Sequence, residues 1–309
     1  MRISCQAREN TQSISAAISV LRGALSGRRE RLEMTSSLPI PHYYLYGHLD
    51  DDRGNVTSVF AMRRPMAVGD AMVNIARYTV TESQTAGGVP ISRYLLRTPE
   101  QAQPVIDAAT RQLHWFSQRL ISYPFERLSI VESGANNSAS LAGLFVVGRS
   151  QAGNRMAYWD RNAALMARQW FGAAVSVENR GDDWLNTGLA TYLGYLYLAR
   201  DQGDEIVRAR LAANEWSYDF GVTADAALNA LPPDGSQAAV ATNKAPFGFH
   251  RLRLMLGDGA FWEMLRQYLR TTPQLNASLN ALDAVAIDAA AKTGPTAPMR
   301  AELESSFRK

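Results

Sequence analysis

Metal chemistry and nucleophilic catalysis each need particular side chains, and this chain holds few of them. It has four histidines, His42, His48, His114 and His250, and one cysteine, Cys5. No two of these histidines lie four residues apart on a plausible helix, the spacing with which two imidazoles hold one zinc ion. The sequence also has no Gly-x-Ser-x-Gly turn and no phosphate-binding glycine-rich loop. It therefore predicts neither a bound metal nor another cofactor.

The segment from residue 168 to residue 193, RQWFGAAVSVENRGDDWLNTGLATYL, is the most informative part of the chain. It resembles the two zinc-site helices of the membrane alanyl aminopeptidase family, a group of gluzincin peptidases. In that family one helix carries H-E-x-x-H before Q-W-F-G, and the next carries W-L-N-E-G-F-A-T-Y. The matching residues here are Gln169, Trp170, Phe171, Gly172, Trp184, Leu185, Asn186, Gly188, Ala190, Thr191 and Tyr192. The resemblance implies a thermolysin-like catalytic-domain fold, with Trp170 and Phe171 as core residues on the first helix.

Other residue types occupy the positions that would bind zinc. The resemblance places the two histidine ligands at Ala164 and Arg168, the general-base glutamate at Leu165 and the third ligand, a glutamate, at Thr187. Alanine and leucine offer no ligand atom, threonine is a poor ligand, and a fixed guanidinium repels a dication. Zinc catalysis is therefore not expected, and conventional aminopeptidase activity would need a different set of ligands.

Two further functional positions of the family also differ. Its Gly-Ala-Met-Glu-Asn stretch, whose glutamate grips the free amino group of the substrate, aligns so that Ser140 takes the glutamate position. The tyrosine that supports the oxyanion aligns with Thr242, two residues before Lys244, and the threonine hydroxyl sits on a much shorter arm. Metal binding, amine recognition and oxyanion support are all expected to be lost.

The elements that would position these residues follow the order of the same catalytic domain. Alternating segments RYTVTES and VPISRYLLR predict two strands joined by a turn at Gly87 and Gly88. Apolar residues at helical spacing predict a long helix over PEQAQPVIDAATRQLHWFSQRLI, and two more strands follow near Leu128 and Gly143. The predicted fold class is α+β and mainly helical, with a small mixed sheet followed by a helical subdomain.

Three regions are predicted along the chain. Residues 1–75 would form an N-terminal arm, with a remnant of the family's β domain as one interpretation. Within them the apolar spacing predicts an amphipathic helix from Ile14 to Leu32, and SSLPIPHYYLYGHL predicts extended structure. Residues 76–199 would form the thermolysin-like α/β subdomain with degenerate zinc-site helices, and residues 200–309 a helical subdomain.

Composition limits the function classes. The 309 residues include 32 basic and 29 acidic side chains, and 46% are hydrophobic, as in ordinary folded globular proteins. The net charge of +3 gives no reason to expect nucleic-acid binding. No run of about eighteen apolar residues predicts a membrane span, and the start of the chain lacks the order of a signal peptide. Because one cysteine cannot form an intramolecular disulfide, a cytoplasmic location is expected.

Two functions remain open from the sequence. The first is a non-catalytic, aminopeptidase-like protein that binds an unknown small molecule or peptide in the former active-site cleft, or a protein partner. The second is a metal-free enzyme in which Arg168 binds a carboxylate or stabilises an oxyanion during isomerisation, cyclisation or hydrolysis. The candidate site residues are Arg168, Thr187, Asn186, Ser140 and Thr242. Arg168 could also serve only as the partner of a nearby acid such as Glu178 or Asp183.

Overall fold

The structure, a computed structural model, describes fifteen parts of the chain. They are residues 2–4, 31–36, 45–50, 56–61, 78–85, 87–96, 98–134, 138–148, 163–177, 182–221, 227–231, 238–272, 277–292, 294 and 296–308. The chain divides into two compact units, Met1–Arg111 with Phe125–Tyr158, and Gln112–Pro124 with Trp159–Lys309. The domain boundaries expected after residues 75 and 199 stay predictions.

The first unit contains a four-stranded sheet built from residues near the N-terminus. Its strands are β1 (Arg2–Ser4), β2 (Arg31–Ser36), β3 (Leu45–Asp50) and β4 (Val56–Ala61), in the spatial order β1-β2-β4-β3. β1 runs parallel to β2, and the other neighbours are antiparallel. The predicted helix from Ile14 to Leu32 is therefore wrong at its C-terminal end, because Arg31 and Leu32 belong to β2. The rest of that predicted helix lies outside the described residues, as does His42.

The same unit holds a five-stranded mixed sheet where the sequence predicts one. Its strands are β5 (Thr79–Gln84), β6 (Pro90–Leu95), β7 (Leu128–Ser133), β8 (Ala139–Leu141) and β9 (Leu144–Gly148), in the order β5-β6-β7-β9-β8. The central strands β6, β7 and β9 are parallel, and the edge strands β5 and β8 pair antiparallel with their neighbours. Every residue of β7 is buried, which is typical of a parallel strand in the middle of a sheet.

Helices make up most of the remaining described chain. They are α1 (Pro99–Arg119), α2 (residues 163–167), α3 (Asp183–Gln202), α4 (Glu205–Gly221), α5 (Ala238–Leu256), α6 (Asp258–Thr271), α7 (Leu279–Ala291) and α8 (Ala297–Phe307). A single 3₁₀ turn at Leu228–Ala230 precedes α5. The helix α1 connects β6 to β7, as predicted. The mainly helical α+β fold class with a small mixed sheet is confirmed.

Helix α3 lies in the core of the second unit. Its residues from Trp184 to Leu198 are buried at nearly every position. Two glycines allow neighbours to approach its backbone closely: a Cβ atom at Gly188 would lie 2.3 Å from the Ala245 Cβ of α5, and one at Gly194 would lie 2.9 Å from the Ala164 nitrogen of α2. Both α2 and α5 thus pack closely against α3. Among the described residues, no helix combines the length and the apolar character needed to cross a bilayer.

Candidate functional site

The helix α2, which begins the motif, ends at residue 167, earlier than the family resemblance implies. The Arg168 nitrogen donates to the Ala164 carbonyl at 3.1 Å, so positions 164 and 168 are one α-helical turn apart. Beyond Arg168 the backbone hydrogen bonds mix three-, four- and five-residue spacings. Gly172, with φ of 134°, has a conformation that residues with a Cβ rarely adopt. The expectation that Trp170 and Phe171 lie on the first helix is therefore wrong, because they follow α2 in a turn.

The motif residues in this turn form part of the core, as predicted. Both Trp170 and Phe171 are fully buried. The Trp170 indole nitrogen donates to the Ile121 carbonyl at 3.1 Å, and the Tyr123 hydroxyl donates to the Gln169 side-chain oxygen at 2.8 Å. These bonds satisfy polar groups that burial would otherwise leave unpaired. The motif therefore holds the turn in place through packing and buried hydrogen bonds.

Helix α3 presents two side chains to Arg168. Asp183 and Thr187 are four residues apart and so lie on one face of the helix. The Arg168 Nη1 donates to Thr187 Oγ1 at 2.7 Å, and Arg168 Nη2 lies 3.4 Å from Asp183 Oδ1. Thr187 Oγ1 in turn donates to Asp183 Oδ2 at 2.9 Å. The three side chains form a closed ring, which we call the Arg168 ring, between the end of α2 and the first turns of α3.

Of the five candidate site residues, the structure joins Arg168 and Thr187 directly. Asn186 is 1% exposed, so solvent does not reach its side chain. Thr242 is exposed on α5, three residues before the Ala245 that touches α3. Ser140 lies on the edge strand β8 of the first unit, opposite Phe145. The proposal that all five act at one site therefore stays a prediction.

Comparisons with known proteins address the fold. No protein-family model matches the chain. Over 214 residues the chain is 27% identical to endoplasmic reticulum aminopeptidase 1 of Homo sapiens, a match that covers 60% of this chain and 22% of that protein. The structure matches the M1 zinc metallopeptidase from Deinococcus radiodurans with a TM-score of 0.74 and 21% identity, over 90% of this chain and 63% of that one. The fold is that of the M1 zinc metallopeptidases.

Ligand-bound structures with the M1 fold agree with this match. A variant of the Deinococcus radiodurans enzyme bound to a Tyr-Ser-Ala substrate gives a TM-score of 0.71 at 21% identity, over 90% of this chain and 63% of that one. A two-domain M1 zinc metallopeptidase variant bound to L-arginine gives 0.72 at 22% identity, with the same coverage. This chain thus spans less than two thirds of each M1 structure and about a fifth of the human aminopeptidase.

The residues at the positions where the family resemblance places the zinc ligands do not fit a zinc ion. Ala164 offers no donor atom, and the Arg168 guanidinium donates to Thr187, which the resemblance places at the third ligand position. The one carboxylate in the Arg168 ring, that of Asp183, already accepts from Thr187 and pairs with Arg168. Among the described residues, no three His, Cys, Asp or Glu side chains cluster in a way that could hold a metal.

A charge network around the buried Arg253 was missed by sequence reasoning. Arg253 of α5 is 9% exposed and bonds Asp258 at 2.7 Å and Asp204 at 3.2 Å. Next to it, the Tyr192 hydroxyl lies 3.0 Å from His250 Nδ1. Burial, and then the charge of Arg253, lowers the pKa of His250. The predicted structural role of His250 agrees with this hydrogen bond, whereas Arg253 has no sequence signal, because Asp204 lies 49 residues away along the chain.

Proposed function

We propose that this chain has the M1 fold without zinc-dependent peptidase activity and acts as a non-catalytic binding or partner protein. The observation that carries the proposal is the Arg168 ring. Arg168 and Thr187 occupy two of the three positions where the family resemblance places zinc ligands, and they bond to each other at 2.7 Å. A cation thus stands at a position where the family resemblance places a zinc ligand.

Electrostatics and hydrogen bonding both support the proposal. A metal ion would have to displace the guanidinium, whose two terminal nitrogens are engaged with Thr187 and Asp183. A dication near a fixed guanidinium is repelled, and the repulsion is strong because Arg168 is partly buried, with a side chain only 28% exposed. Without an ion, water cannot be activated in the way that metallopeptidases require.

The positions outside the metal site support the same proposal. Ser140 cannot form the ion pair with which a glutamate would hold a free amino terminus. Thr242 carries its hydroxyl on a shorter side chain than the expected tyrosine and is exposed on α5. Three separate requirements of aminopeptidase chemistry are therefore unmet by the side chains at these positions.

A peptide is the ligand class that we propose first for the former cleft. The matched M1 structures have been solved with a Tyr-Ser-Ala substrate and with L-arginine. A cleft that retains the fold but has no catalytic groups could hold such molecules without cleaving them. An unknown small molecule or a protein partner are the other occupants compatible with the proposal.

Hydrolysis of aminoacyl-coumarin reporters tests the loss of activity. We expect the purified protein, supplied with zinc, to release no coumarin above a buffer blank across the set of amino acids. Turnover that EDTA abolishes and zinc restores would contradict the proposal. A matched chain with Ala164→His, Leu165→Glu, Arg168→His and Thr187→Glu controls for the scaffold, because it returns the family's ligand types to their positions.

A metal-free enzyme built on Arg168 is the second candidate. The observation in its favour is that the Arg168 side chain is partly open to solvent beside a threonine hydroxyl. Asp183 opposes this role, because its carboxylate already pairs with the guanidinium. An Arg168→Ala variant tests this candidate: if it binds peptides and small carboxylates as the parent does, the metal-free enzyme is ruled out.

A further inference from the structure

Two arginines lie over neighbouring aromatic rings in the second unit, away from the Arg168 ring. The Arg119 Cζ atom lies 4.2 Å from the centre of the Trp115 ring, and the Arg200 Cζ atom lies 3.7 Å from the centre of the Tyr197 ring. The two rings are themselves in contact, edge to face, with centres 5.4 Å apart. One aromatic pair thus carries two guanidinium groups.

Helix geometry explains how each arginine reaches its ring. Arg119 is four residues after Trp115 on α1, and Arg200 is three residues after Tyr197 on α3, so each pair shares a helix face. Both arginines lie in the last turn of their helix, where the helix dipole favours a cation. These local interactions stabilise each arginine separately, but they do not explain why two cations lie close together.

The two cations differ in how they are paired. Asp201 holds Arg200 through two nitrogens, with Nε at 3.1 Å from Oδ1 and Nη2 at 2.7 Å from Oδ2. Among the described residues, the Arg119 guanidinium has no carboxylate within ion-pair distance. Burial, and after it the charge of Arg200, lowers the pKa of the Arg119 guanidinium, which indicates that the two charges repel each other. An anion between them would remove this repulsion.

Buried polar atoms without partners lie on the same residues. The Trp115 indole nitrogen and the Tyr197 hydroxyl have no hydrogen-bond partner in the described part of the chain, although these side chains are 9% and 1% exposed. Gln112, three residues before Trp115 on the same face of α1, is fully buried, and neither end of its amide has a partner there. Each such group costs about 1–3 kcal/mol when it is left unpaired, so natural proteins usually supply water or a ligand.

We propose that Arg119, Arg200, Trp115 and Tyr197 form a binding site for a small oxyanion, a carboxylate or a phosphate group. The Arg119 guanidinium lies over the Trp115 ring without a carboxylate partner among the described residues, so its N–H groups can donate to two oxygens of a carboxylate or phosphate. Arg200, whose Nε and Nη2 are held by Asp201, adds a second guanidinium beside it. The ring also orients the cation through its π face, so little side-chain entropy remains to be lost on binding. The unpaired groups are mostly donors: an indole N–H, a phenol O–H and an amide NH₂. Such a set favours an acceptor-rich anion over a cation or a neutral apolar ligand.

Calorimetric titration of the full chain at low ionic strength tests the site, with inorganic phosphate and succinate as the two probes. We expect saturable binding of at least one probe, and the preferred probe tells whether the natural ligand carries phosphate or carboxylate groups. Arg119→Gln should weaken that binding by roughly tenfold or more, since it removes a charged hydrogen-bond donor. Arg208→Gln is the matched control: it removes one cation from an exposed pair on α4 and should leave the affinity within about twofold.

Arg119→Lys provides a second test in case Arg119→Gln does not fold. It keeps the charge and the aliphatic contact with Trp115 but cannot present a planar pair of donors, so we expect an intermediate affinity. Circular dichroism verifies that each variant is folded. The site is refuted if neither probe binds the parent at tens of millimolar, or if Arg119→Gln and Arg208→Gln weaken binding equally, since that result indicates general charge attraction.

Discussion

Replacing Arg168 with methionine should destabilise the protein by about 2 kcal/mol. The change removes the 2.7 Å hydrogen bond from the guanidinium to Thr187, and a hydrogen bond to a charged group contributes roughly 1.5–3 kcal/mol. The ion pair with Asp183 adds less than about 1 kcal/mol, because it spans 3.4 Å and the Asp183 side chain is 47% exposed. Thr187 keeps its bond to Asp183, so no buried hydroxyl is orphaned, and methionine fills most of the vacated volume.

Urea unfolding followed by tryptophan fluorescence measures this loss. A double-mutant cycle with Thr187→Val should give a coupling energy of about 1 kcal/mol between the two positions. Arg208→Met, at an exposed pair on α4, serves as the control and should change stability by less than about 0.5 kcal/mol. If Arg168→Met is as stable as this control, the ring does not hold α2 to α3, and our account of the substituted metal position fails.

Two further predictions concern the surroundings of α3. Gly188→Ala should lower the free energy of unfolding by about 2 kcal/mol or more, because the new methyl group would lie 2.3 Å from the Ala245 Cβ. Gly259→Ala is the control: its methyl group would have no atom within 4 Å, so it should not destabilise the protein. Since burial and Arg253 lower the pKa of His250 from its ordinary 6.5, the unfolded chain binds this proton more tightly than the folded protein. The contribution of His250 to stability should therefore be complete above pH 6.5 and decline as the pH falls below it. His250→Asn should flatten that part of the curve of unfolding free energy against pH. An unchanged slope would contradict the claim that the folded protein lowers the pKa of His250.

Much of the fold follows from local sequence patterns. The alternation in Thr79–Gln84 and Pro90–Leu95 predicts two strands that the structure contains, and the helical spacing over Pro99–Arg119 predicts α1. The N-terminal prediction failed where non-local pairing prevails: Arg31–Ser36 pairs along its whole length with β4, which begins twenty residues after it ends. Short strands of this kind are determined by the partner strand more than by their own spacing.

The candidate site could be predicted from the sequence only where a motif fixes the spacing between its residues. Alignment of the two motif halves brings Arg168 opposite Thr187, and Asp183 follows because it lies one helical turn before Thr187. The turn after α2 could not be predicted, since the motif gives no indication that Gly172 adopts a φ of 134°. Nor could the Arg253 network be predicted, because Arg253 of α5 meets Asp204, which lies just before α4 and 49 residues away along the chain, only through tertiary packing.

The zinc content of the purified protein tests the central claim most directly. The parent and the four-substitution chain described above are expressed with added zinc, desalted and measured by inductively coupled plasma mass spectrometry. We predict far less than one zinc per parent chain and about one per restored chain, because positions 164 and 168 remain one helical turn apart. One tightly held zinc per parent chain, removable only by a chelator, would contradict the proposal that Arg168 and Thr187, at two of the expected ligand positions, prevent zinc binding.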